Sequence, residues 1–252
     1  MTGALHIVEA EWAVYRRIWR GTLGFSFLGP LFFLASIGIG LGVLVNRNQS
    51  LGMPYLDFLA PALLPIAAMQ TAVGEATYPV MAKVRWNKTY EAALATPIST
   101  NDIVFGELLW YAFRRLLEAT AFVLVMLLFG VPKGPTAIGA IGAGVLTGLA
   151  FAMPVYAFAI TRETDAAFSI LFRFVIGPLF LFSGTFFPLD RLPAALQAAA
   201  WMLPLAHGVQ LSRDLTLNTP HPQDLLHTVV LIVYIAAGTA AASITIRRRM
   251  SP

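Results

Sequence analysis

Glu107, Arg114 and Glu118 stand seven and four residues apart, a spacing that puts all three on one face of a helix. Arg115 and Glu118, three apart, are also within reach of each other. A row of opposite charges can pair, bind or anchor, but it breaks no bonds. If its helix enters the bilayer only near Leu116, these residues sit at the headgroups as anchors. Two further charges fall deeper in apolar sequence. Glu75 shares a helix face with Thr71 and Tyr78, and Arg173 shares one with Ser169 and Gly177. A lone charge inside a bilayer costs several kcal/mol and usually faces a partner. The expectation is that Glu75 or Glu118 pairs with Arg173 inside the protein.

Other chemistry is missing from the sequence. No Ser/His/Asp arrangement and no pair of carboxylates stands out. His6, His207, His221 and His227 lack metal-ligand spacing. The absence of cysteine excludes disulfides, thiolate zinc sites and a cysteine nucleophile. No Walker A loop occurs, so the chain does not bind ATP by that route. The sequence therefore predicts no catalytic residue, no metal and no cofactor in this chain.

The elements around these residues are those of a membrane protein. Of 252 residues, 58% are hydrophobic and 12% charged, against about 25% charged in a soluble domain. The mean hydropathy is +0.72. Net charge is +4, but the basic residues lie between apolar runs. Lipid headgroups, rather than nucleic acid, are their natural partners. Six apolar runs are long enough to cross, over residues 25–45, 56–82, 103–129, 136–160, 167–185 and 225–246. The predicted fold is an all-α integral membrane protein of six spans filling one domain. Residues 1–24 precede it as a surface helix, 25–246 form the membrane part, and 247–252 are a basic tail. Ten Lys and Arg residues fall in segments 1–24, 83–102, 161–166 and 247–252, against four in the opposite loops. That bias puts both termini in the cytoplasm.

Three segments are not explained by spanning alone. In residues 4–20, Leu5, Val8, Trp12, Tyr15 and Trp19 form a stripe among Arg16, Arg17 and Arg20, which suits a membrane surface. Between the second and third spans, Trp86 to Ala95 can form a short amphipathic helix. Thr96–Pro97 ends it, and Ser99 or Thr100 caps the next one. A helix in that place can pass force to a soluble partner, or lie flat on the membrane. After the fifth span, Ser183–Gly184 and Pro188 break the helix. Two helices too short to cross follow, about 192–203 and from Pro204 to about Leu217, and read as a re-entrant hairpin that caps a path on the outer side.

Three motifs resemble those of the ABC-2 type exporter permeases, particularly the branch of nodulation J proteins and daunorubicin-resistance permeases. They are Leu94-Ala95-Thr96-Pro97-Ile98-Ser99, then Ser183-Gly184-Thr185-Phe186-Phe187-Pro188 with Leu192-Pro193, and Leu203-Pro204-Leu205-Ala206-His207 with Arg213 six residues on. The resemblance covers essentially the whole chain. It implies a dimer of permease subunits, identical or related, each docking a separate ATP-binding cassette subunit that holds ATP and Mg. Trp86, Asn87, Tyr90, Glu91, Leu94, Thr96 and Pro97 would make the coupling contact, and the surface helix with Trp12, Arg16, Arg17 and Trp19 a second one. Ser183, Gly184, Phe186, Phe187, Pro188, Pro204 and His207 would belong to the outer gate. Location in a bacterial inner membrane and export of a drug, lipid, lipo-oligosaccharide or polysaccharide are further implications. Phe172, Phe174, Phe180 and Phe182 favour a hydrophobic or amphipathic cargo. An ion-coupled secondary transporter or channel is the rival class; it calls for broken helices in matching positions of two repeats, and no clear repeat is present.

Overall fold

Prolines, glycines and caps decide where the helices of this chain begin and end. A computed structural model describes residues 2–37, 40 and 52–250, and all regular structure among them is helical. The α-helices are α1 (Thr2–Ser36), α2 (Tyr55–Ala76), α3 (Tyr78–Met81), α4 (Thr89–Leu94), α5 (Thr100–Leu128), α6 (Gly139–Thr161), α7 (Ala166–Leu171), α8 (Gly177–Phe182), α9 (Ala194–Met202), α10 (Pro204–Thr216) and α11 (Gln223–Met250). Wider π-turns over Ala82–Trp86 and Phe172–Ile176 continue α3 and join α7 to α8.

Helix α1 corrects one expectation. The surface helix of residues 4–20 does not stop near Arg20; it runs on unbroken to Ser36, 35 residues in all, about 53 Å at 1.5 Å per residue. The change in composition near Arg20 marks a change of surroundings, not a break in the backbone. The remainder of the first predicted span, and the polar turn from Asn46, fall largely outside the described residues. Among the described residues, four helical segments are long and apolar enough to cross a membrane: Gly3–Ser36, Tyr55–Trp86, Pro135–Thr161 and Gln223–Met250. The segment Ala166–Phe182 is apolar but shorter. Helix α5 has the length, at 29 residues, but carries Glu107, Arg114, Arg115 and Glu118.

Helix α5 has well-defined ends. Ser99 accepts from the Asp102 N–H while the Asp102 carboxylate accepts from the Ser99 N–H, a capping box. At the other end Gly130 takes a left-handed φ of 67°. Its N–H reaches the Leu127 carbonyl and that of Val131 reaches Met126, a Schellman stop.

Small residues of α6 let its neighbours approach closely, as in membrane helix packing generally. A Cβ on Gly144 would stand 3.1 Å from both Ala119 of α5 and Leu64 of α2. Gly238 of α11 lies directly on Met153–Pro154. Helix α2 keeps Pro61 and Pro65 inside it. Pro65 has no N–H for the Pro61 carbonyl, and the Ser212 hydroxyl of α10 donates to that carbonyl instead, at 2.7 Å.

Contacts between loops sort them into two ends. At one, Arg85 pairs with Glu163 at 2.9 Å, Arg247 donates to Asn101 at 2.9 Å, and Arg249 to the Ile160 carbonyl at 2.6 Å. At the other, Lys133 pairs with Asp57 at 3.0 Å and Thr136 donates to the Leu215 carbonyl at 2.6 Å.

Candidate functional site

Helix α4 hangs off the end that carries Arg85, Glu163 and Arg249. It is shorter than the Trp86–Ala95 helix expected. Trp86 closes the π-turn before it, and Lys88 takes a left-handed φ of 50°, so α4 keeps six residues. Trp86 is 65% exposed, and Asn87, Lys88, Thr89, Glu91, Thr96 and Pro97 are exposed with it. Leu94 is half-buried and packs on the main core. Tyr90, expected in the coupling contact, is instead the one fully buried side chain of α4 and is turned toward the bundle. Its hydroxyl donates to Glu107 Oε1 at 2.9 Å. Hydrogen bonds from the Ser99 hydroxyl and N–H hold the Asp102 carboxyl, just beyond α4, below its usual range.

Beneath α4, Lys83 of the π-turn donates to Glu107 of α5 and to Glu11 of α1, both at 2.6 Å. Helix α1 runs alongside α5 there. A Cβ on Gly106 would meet Ile7 at 2.6 Å, which only glycine avoids. Tyr15 meets Trp110 edge-on, and Trp12 meets Phe113 the same way. Further along α1, Arg16, Arg17 and Trp19 are exposed, and Arg20 lies over the Trp19 ring.

Glu75, Arg114, Arg115 and Glu118 form a second cluster, deeper in the bundle. Glu75 of α2 accepts from Arg114 and from Arg115, each at 2.7 Å. Arg115 also pairs with Glu118 at 3.0 Å, the three-residue pair read from the sequence. The same guanidinium donates to Thr71 and to the Ala68 carbonyl, and Thr71 donates to Glu118 at 2.9 Å. Two expectations are corrected here. The acids take their partners from α5, leaving Arg173 exposed on its π-turn. Arg115 is no headgroup anchor: it is 1% exposed, with its side chain laid in the gap left by Gly148 of α6.

The break after α8 and the two short helices form the opposite end. Gly184 has a φ of 80°, and the Ser183 and Thr185 hydroxyls lie 2.9 Å apart. Arg213 ties this break to the start of α2. It donates to the Gly184 carbonyl at 2.9 Å and the Phe58 carbonyl at 3.2 Å, above the Phe58 ring. Phe186 stacks edge-on against Phe180; Phe187 and Pro188 are half-buried. Pro204 opens α10 at its first position. His207 Nδ1 lies 2.8 Å from His227 Nδ1, its Nε2 meets the Trp201 carbonyl at 2.8 Å, and Trp201 stacks on His227. Twenty residues separate the two histidines, so sequence spacing gave no sign of their meeting. A cleft of about 380 Å³ opens beside them, lined in part by Asp190, Gln210 and Arg213.

These features belong to a projecting helix, a charged interior and a clasped pair of short helices, and no group of three or more metal-binding side chains occurs among the described residues. A model of the ABC-2 type transporter family matches residues 4–217. The chain belongs to that family. It is 35% identical to nodulation protein J of Rhizobium leguminosarum bv. viciae over 94% of each chain. It is 34% identical to that of Rhizobium meliloti (strain 1021), over 95% of this chain and 94% of the other. It is 26% identical to the probable multidrug ABC transporter permease YbhR of Escherichia coli (strain K12), over 82% of this chain and 56% of that one. Membership makes this an ABC transporter permease, a multi-pass membrane subunit, and implies an ATP-binding cassette partner.

Proposed function

We propose that this permease spans a bacterial inner membrane six times, with both termini cytoplasmic, and exports a hydrophobic or amphipathic molecule, a drug or a lipid. The observation that carries the ATP-driven reading is α4. A six-residue helix with exposed Trp86 and Glu91 beside it and on it, anchored by one buried tyrosine, suits a lever held by a soluble subunit. ATP and Mg act in that subunit; Arg16, Arg17, Trp12 and Trp19 of α1 offer it a second contact at the same end. The two loop clusters support six crossings, because every segment assigned to one side by its basic residues meets others of that side. Arg173 supports pairing with a second permease subunit. It is exposed beside exposed Ile170, Phe174 and Val175, and a charge on such a face is costly against hydrocarbon. The α9–α10 hairpin, clasped by Arg213, closes the outer end as a re-entrant gate.

The cargo class rests on a recess of about 230 Å³ between α1, α2, α5 and α8. Phe33, Leu63, Ile66, Phe122 and Phe180 supply apolar walls, with Gln70 and Glu118 at one edge, the pattern of an amphipathic ligand site. Asp190, Gln210 and Arg213, set beside the Trp201 ring in the otherwise largely apolar cleft at the hairpin, favour a second reading, export of a lipo-oligosaccharide or polysaccharide. ATP hydrolysis by the complex in lipid nanodiscs separates the two. Daunorubicin is expected to stimulate hydrolysis several-fold and maltoheptaose to leave it unchanged. The opposite pattern would assign the permease to glycans.

A further inference from the structure

Glu107 is 0% exposed, yet its carboxylate is used unevenly. One oxygen, Oε1, accepts both the Tyr90 hydroxyl at 2.9 Å and the Lys83 ammonium at 2.6 Å. The other, Oε2, has no partner, and neither has the buried hydroxyl of Tyr111; the Tyr156 hydroxyl lies against that of Tyr90. Tyr111 is four residues along the same helix from Glu107, on the same face. Its ring packs edge-on against Tyr156, which packs likewise against Tyr90. A buried acceptor without a donor is unfavourable, and here one unpaired donor, the Tyr111 hydroxyl, stands a single helical turn away. A small shift of the carboxylate would exchange one set of partners for another, the discrete alternative that carries coupling between distant sites.

We infer that Glu107 is the positioning residue through which movement of α4 reaches α1 and α5. In the arrangement described, Tyr90 and Lys83 hold Glu107, and Lys83 in turn holds Glu11. When the partner subunit draws α4 outward, Tyr90 leaves Oε1 and the carboxylate takes the Tyr111 hydroxyl. Lys83 then keeps Glu11 alone, and α1 is free to move against α5. The inference rests on the ABC permease reading, because it needs a subunit that pulls α4.

The natural chain has no cysteine, so a single Ala198→Cys in exposed α9 can report on the outer hairpin. The readouts are ATP hydrolysis by the reconstituted complex and the maleimide labelling rate with and without MgATP. In the parent, MgATP is expected to change labelling several-fold. Tyr90→Phe and Tyr111→Phe are each expected to retain the ATPase subunit and to keep hydrolysing, while the labelling response is lost. Glu107→Gln is expected to behave alike; the two tyrosine variants decide if it fails to fold. A merely structural role would lower hydrolysis and response together. Hydrolysis and response both at parental levels in Tyr90→Phe and Tyr111→Phe would overturn the inference, as would a parent that hydrolyses ATP with unchanged labelling. Failure of the parent to bind any ATPase subunit would instead overturn the permease reading beneath it.

Discussion

Arg115→Met is expected to destabilise the permease by about 3–5 kcal/mol, the usual effect of removing one partner from a buried ion pair. Arg115 is almost fully enclosed and contacts α2 at three points, through Glu75, Thr71 and the Ala68 carbonyl. Without it, Glu118 keeps only the Thr71 hydroxyl. Glu75 keeps Arg114, so the loss centres on Glu118. Adding Glu118→Gln should therefore restore much of the stability, since the pair would then be neutral. Arg115→Lys should not substitute well, because a lysine lacks the planar fork that spans two carboxylates. The check is thermal unfolding of the purified protein in detergent. Arg115→Met as stable as the parent would show that the cluster carries no structural charge.

The second large effect is expected at Gly238. A Cβ there would lie 2.5 Å from Pro154 Cδ and 2.6 Å from Pro154 N. Those atoms belong to a ring and a backbone inside α6, so neither can turn aside as a side-chain tip can. Gly238→Leu must move α11 away from α6, at an expected loss of at least about 1–3 kcal/mol. Gly238→Ala should do the same to a smaller degree. Gly142→Ala, on an open part of α6 with nothing within 4 Å, should change nothing and serves as the control. Gel filtration and thermal unfolding in detergent read all three.

Much of this architecture was legible because local rules fix it. The Ser99 cap, the Thr96–Pro97 stop, the Ser183–Gly184 break and the two short helices after it all fall where the sequence places them. Each depends on a few neighbouring residues. The misread features depend on surroundings. A change from mixed to apolar sequence near Arg20 suggested two helices, but a helix can leave one solvent for another without a break. Trp86–Ala95 had the right pattern for one helix, yet the left-handed Lys88 divides it. The charges are legible, and so is the local Arg115–Glu118 pair, but not the partners that lie on other helices. Glu75 and Arg115 are 40 residues apart, and nothing in either segment announces the other. Nothing in the sequence marks Lys83 and Glu11, because their meeting at Glu107 requires three helical segments to be placed first. Pro65 did carry a usable signal. A proline inside a buried helix strands a carbonyl, and some side chain, here Ser212, has to answer it.

An ATP-hydrolysing partner is expected to hold α4. The direct measurement is to express the tagged permease with its chromosomal neighbours, purify it in mild detergent and identify what accompanies it. A near-stoichiometric ATPase subunit is the expected result, lost when the exposed residues Trp86, Asn87, Lys88, Thr89 and Glu91 are scrambled with Tyr90 kept. Recovery of the permease alone in several detergents, with the neighbours expressed, would contradict the account.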